Sequence, residues 1–108
     1  MTNIDMTRII TMQDQQAVAQ TARSTAIKQA CSTRILAVID HAAQMNLVAA
    51  RAAGQLSEAD MITYDAGLNW ITAMRAACVS LVARDADWQD DTVWPPVPDG
   101  VVALAARF

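Results

Sequence analysis

Ala53-Gly54-Gln55-Leu56-Ser57-Glu58-Ala59-Asp60 decides how this chain folds. Gly54 follows a long stretch with no glycine or proline, and glycine accepts the left-handed conformation that ends a helix. Ser57 is a hydroxyl cap for a following helix, and Asp60, three residues on, is placed to reach back to the Ser57 amide. Glu58 and Asp60 also suit the positive end of that helix's dipole. Two helices joined by so short a turn are antiparallel neighbours. The stretch therefore predicts a helical hairpin centred on Thr25 to Val82.

Upstream, Cys31, Ile35, Val38, Ala42, Met45, Ala49, Ala52 and Leu56 recur at spacings of four and three, the rhythm of a coiled-coil seam. Leu36, Ile39, Ala43, Leu47 and Ala50 run beside them, giving a face broader than a two-stranded zipper uses. Thr11-Met12-Gln13-Asp14 has the form of a helix start, so the first helix is predicted to run unbroken from about residue 11 to Ala53. Its opening part, with Gln13, Gln15, Gln16, Gln20 and Arg23, is polar and suited to lying on a partner. Met1 to Ile10 is too short a pattern to assign and is taken as an N-terminal arm.

Downstream, Met61, Tyr64, Leu68, Ile71, Met74, Cys78 and Leu81 lie three or four apart, predicting a second helix from about Glu58 to Ala83. Gly67 sits inside it at a cost of roughly 1 kcal/mol against alanine, which close contact with the first helix would explain. Arg84-Asp85-Ala86-Asp87 ends the pattern. Pro95, Pro96 and Pro98 exclude helix and favour an extended polyproline segment. Val101 to Phe108, apolar except Arg107, is expected to cover the hairpin or dock on a partner. The reading is one all-α domain over 1–108: arm 1–10, antiparallel hairpin 11–83 with a long first helix, and acidic, proline-rich tail 84–108.

Composition narrows the function. The chain has 108 residues, 54% of them hydrophobic, but only one Phe, one Tyr and three Trp. Alanine supplies much of the apolar share and buries little area per residue. An alanine-rich hairpin is short of core by itself, so a homo-oligomer or a protein partner is expected. The net charge of -3 is uneven: +2 over residues 11–54 and -5 over 55–108. The first half's cations are dispersed and the second half is acidic, which argues against a nucleic-acid footprint. The N-terminal residues lack the apolar core of a signal peptide. Gly67 to Ala83, the most apolar run, is short and interrupted by Asn69 and Arg75, so no membrane partner is expected.

No pattern of catalytic residues stands out, and the chain is read as not an enzyme. His41 is the only histidine, and no cysteine at helical spacing completes a metal site with it. Cys31 and Cys78 are read as small buried hydrophobes in a reducing compartment. Asp85, Asp87, Asp90 and Asp91 lack EF-hand spacing and read as a solvated loop. No cofactor or metal is expected. Trp88 and Trp94 bracket that acidic segment, and tryptophan beside polyproline gives a partner rigid apolar surface. The expected partner-binding residues are Trp88, Trp94, Pro95, Pro96, Pro98, Val101, Val102, Leu104 and Phe108.

The order Leu56-Ser57-Glu58-Ala59-Asp60, then Trp70-Ile71-Thr72-Ala73-Met74-Arg75, then Trp94-Pro95-Pro96-Val97-Pro98 resembles the C-terminal part of phage tail fibre assembly proteins, small chaperone-like factors. It covers roughly residues 30 to 98. Met74 stands where that family usually has an aromatic before its helix arginine. The resemblance implies a phage assembly factor that binds a tail fibre or tail protein in the host cytoplasm. Alternatives are a structural subunit of the tail in the virion and, in third place, a small regulator.

Overall fold

The computed structural model describes the backbone of residues 2–108 and the side chains of residues 11–108. Among them it is all-helical: α1 (Thr2–Val38), α2 (His41–Ala52), α3 (Glu58–Ala83), a 3₁₀ turn (Asp91–Val93) and α4 (Val101–Ala106). The contacts of the side chains of residues 1–10, read from the sequence as a docking arm, lie outside the described residues. Their backbone from Thr2 onward belongs to α1, so Thr11 does not begin a helix.

The predicted unbroken helix is two helices. Asp40 takes an extended conformation (φ -69°, ψ 172°), and its carboxylate accepts from the Ala43 amide at 2.7 Å. That is an N-cap, the position where aspartate outcompetes helix interior. The Gln44 side chain then donates to the Ile39 carbonyl at 2.9 Å, satisfying an acceptor left open by the break. The break explains which apolar row is used. Ile27, Cys31, Ile35 and Ile39 are buried, and burial then passes to Ala43, Leu47 and Ala50. A step of four drifts roughly 40° around a helix, so an unbroken helix would carry this row away from the core. Restarting at Asp40 brings it back. The seam positions Ala42, Met45, Ala49 and Ala52 are exposed instead, Met45 by 73%.

α2 ends as expected. Gly54 has φ 69°, its amide donates to the Arg51 carbonyl at 3.1 Å, and the Gln55 amide reaches the Ala50 carbonyl at 2.9 Å. The paired bonds form a Schellman cap. Ser57 Oγ accepts from the Asp60 amide at 3.1 Å, starting α3.

α3 runs back along α1, with Trp70, Ile71, Met74, Cys78 and Leu81 in the core. Partners across the seam descend as α1 ascends. Gln20 reaches the carbonyl of Val82, Arg23 that of Leu81, and Cys31 that of Met74. α4 packs on α3, α2 and α1, burying Val101, Leu104 and Ala105. Residues 95–98 are neither helix nor strand.

α1 outruns this body. The molecule measures 74 × 25 × 16 Å, and every residue from 11 to 22 is exposed although helical.

Candidate functional site

The two long sides of the α1–α3 seam differ. On one side the C-terminal segment closes over it. Trp94 is 5% exposed, and its indole N–H donates to the Trp88 carbonyl at 2.8 Å. The Trp70 indole N–H donates to the Pro95 carbonyl at 3.1 Å. Arg34 stacks over the Trp94 ring at 5.3 Å and pairs with Asp91 at 2.8 Å. The C-terminus is tied as well: Asn46 donates to the Phe108 carbonyl at 3.1 Å, and Arg107 holds Asp60.

This arrangement sorts the expected partner-binding residues. Trp94, Val101 and Leu104 are core residues of the chain itself. Trp88, Pro95, Pro98 and Phe108 are half-buried against it, while Pro96 and Val102 face outward. Trp88 and Trp94 are large rings beside the apolar seam, and each fills space that the alanine-rich helices leave open.

The acidic segment has a structural role in its own turns. Asp87 accepts from the Gln89 amide at 3.0 Å, and Asp90 accepts from the amide and hydroxyl of Thr92 at 3.0 and 2.8 Å. Those two bonds from Thr92 hold the Asp90 carboxyl below its ordinary range. Among the described residues no cluster of His, Cys, Asp or Glu is placed to hold a metal. Asp60 serves two partners, its capping residue Ser57 and Arg107. Its carboxyl is held low first by the Arg107 guanidinium, and then by the amide and hydroxyl of Ser57.

The other side of the seam is open. A groove of about 400 Å³ runs between α1, the start of α2 and α3, with Ile35, Leu36 and Val79 on its walls and Lys28, His41 and Arg75 at its rim. It contains both Cys31 and Cys78. Beyond Gln44 a smaller apolar notch of about 90 Å³ continues along α3, past Leu68 and Gly67. Leu68 is 45% and Val79 71% exposed. α3 is long and apolar enough to cross a membrane by length and composition alone, yet one face of it is the core of this body.

Sequence reasoning missed the groove because Cys31 and Cys78 each looked like an isolated core residue. Their matching places on two antiparallel stripes, Cys31 at the start of the seam and Cys78 near the end of the second stripe, were the available signal. Arg23 was also missed. Its guanidinium donates to the carbonyls of Leu81, Arg84 and Ala86 at 3.2, 2.8 and 3.0 Å, closing the C-terminal end of α3. No protein-family model matches the chain, and no curated protein or solved structure matches it.

Proposed function

We propose that this chain is a protein-binding helical factor of phage tail or tail fibre assembly, acting by burial of surface with no chemical step. The observation that carries the binding part is the exposed stretch of α1. Residues 12 to 19 are helical and exposed, and the chain is tied to α3 from Gln20 onward, whose side chain reaches the Val82 carbonyl. Helices of this length gain little stability in water from propensity alone, so a partner laid along them supplies what the chain does not. Met12 and Val18, 54% and 69% exposed, are the apolar contacts this stretch offers. The open groove and the outward Pro96 and Val102 extend the surface available to a fibre or a sister chain.

The phage part rests on the resemblance carried by residues 30 to 98. Two of its elements meet in this fold, Trp70 on α3 and Pro95 in the proline stretch.

The test is co-expression with a tail fibre protein from the same phage genome. The expected result is a co-purifying complex, lost when Met12→Gln and Val18→Gln are combined while the melting curve is unchanged. A fibre protein that is soluble and fully assembled without this chain, and does not bind it, ends the reading. Mass spectrometry of purified particles separates the roles. An assembly factor is absent or scarce, whereas a tail subunit is present in fixed proportion.

A further inference from the structure

The groove between α1 and α3 is a place where two thiols meet. Cys31 Sγ donates to the Met74 carbonyl at 3.5 Å. Cys78 lies one turn further along α3, and helical side chains lean toward the N-terminus of their own helix, that is, toward Met74. Both cysteines are free, and both line the same groove with 6% and 8% of their surface exposed. Burial, and after it the neighbouring Cys78 thiol, holds the Cys31 thiol above its ordinary value. Two buried apolar positions would be served equally by alanine or valine. Two sulfurs at one opening, on helices joined only through α2 and a tight turn, are in addition a cross-link waiting for an oxidant.

The rim indicates which oxidant fits. Lys28 and Arg75 stand at this opening, and among the described residues neither is paired with a carboxylate. Arg75 is near enough to act on Cys31 by charge. Its pull on the thiol is weaker than the push from burial, and the two unpaired cations at the opening draw in anions.

We propose that Cys31 and Cys78 are a thiol–disulfide exchange site, oxidised by an anionic low-molecular-weight disulfide to an intramolecular bond that staples α1 to α3. One cysteine thiolate attacks a sulfur of the small disulfide and expels one thiolate, leaving a mixed disulfide. The second cysteine thiolate attacks the protein-side sulfur of that mixed disulfide and expels the other thiolate. The two protons lost by Cys31 and Cys78 end on the two released thiols. The protein loses two electrons and the small disulfide gains them. A dithiol reductant reverses the sequence. The staple closes the groove floor and links α1 to α3 midway along their seam, beyond the ties already made by Gln20 and Arg23.

The test uses the full-length protein and oxidised glutathione as the probe. Native protein is expected to lose both alkylatable thiols together and to run as a monomer without reductant. Peptide mapping should show Cys31 joined to Cys78. Closing so long a loop should raise Tm by on the order of 10 °C, reversibly with dithiothreitol. Cys78→Ala should stop at a single glutathione adduct on Cys31, and Cys31→Ala at one on Cys78. Should either variant fail to fold, the wild-type mapping decides alone. The staple is overturned if the thiols react only in denaturant, if native oxidation stops at mixed disulfides, or if it joins separate chains. Oxidised glutathione should also outpace neutral hydroxyethyl disulfide several-fold, with the advantage reduced in Lys28→Gln/Arg75→Gln. Equal rates overturn the assignment of an anionic disulfide.

Discussion

Arg107 holds Asp60 through two hydrogen bonds, Nη1 to Oδ1 at 3.0 Å and Nη2 to Oδ2 at 3.2 Å. The pair ties the last turn of the chain to the first turn of α3. Planar guanidinium and carboxylate match each other in a way that a lysine ammonium does not.

The first prediction concerns acid. Asp60 has a folded pKa below its ordinary value, so the pair adds stability wherever the unfolded carboxylate is ionised, above about pH 4. That contribution disappears as pH falls through the lower folded value. Asp60→Asn and the parent should differ in urea midpoint at neutral pH and converge in acid, as pH falls through the lowered folded value. A difference that persists in acid means the substitution acts through something other than the charge.

Glycine substitutions should move in opposite directions. A Cβ on Gly67 would stand 3.6 Å from Ile39 Cδ1 and from Val101 Cγ1, ordinary contact distances. Gly67→Ala should therefore stabilise by up to about 1 kcal/mol through helix propensity. Close approach of the first helix does not require glycine here. Gly100 has φ 85° and Thr63 Cγ2 at 3.4 Å from the added atom, so Gly100→Ala should cost about 1–2 kcal/mol. Thermal melts of the two variants check both signs.

Arg23 should matter more than an exposed-helix arginine normally does. Arg23→Ala leaves three carbonyls at the end of α3 without their shared donor, a loss of about 1–3 kcal/mol. Arg23→Lys should recover part of the loss, since all three bonds come from the one nitrogen Nη2 and a lysine ammonium also offers three donors from one atom. Amide exchange around residues 80–86 should speed up in both variants and stay unchanged at α2.

The two buried indoles should separate by size of effect. Trp94→Ala empties a core position and should cost about 3–5 kcal/mol. Trp70→Phe keeps one aromatic ring but loses the rest of the indole's volume and the donor to Pro95, costing about 1–3 kcal/mol. Near-ultraviolet dichroism should collapse in the first and persist in the second. A Trp94→Ala protein as stable as the parent would mean the C-terminal segment is not part of the core.

Much of the fold was readable residue by residue. Gly54 and Ser57 made a turn whose bonds are local, so the cap chemistry was written in adjacent positions. The α3 stripe was readable in part: Ile71, Met74, Cys78 and Leu81 are buried, whereas Met61 and Leu68 on the same stripe are exposed and Trp70, outside it, is in the core. The break at Asp40 was harder. It lacks the glycine or proline that marks most helix ends, and an aspartate inside a helical pattern is ambiguous until something rewards the cap. Here the reward is distant: restarting the helix puts Ala43 and Leu47 on the core with α4. The C-terminal residues were read as a surface for partners because the sequence shows their apolarity and not their destination. Trp94, Val101 and Leu104 are used up inside the chain.

Helical class, the turn at Gly54 and the start of α3 at Ser57 were determined by the sequence alone, because propensity and capping act over a few neighbouring residues. Which apolar row is buried, where α1 stops, and which residues meet at the groove were decided by tertiary packing. These depend on pairs far apart in the chain, such as Arg23 with Ala86, Asp60 with Arg107 and Cys31 with Met74. Spacing within one helix carries no record of what stands opposite it.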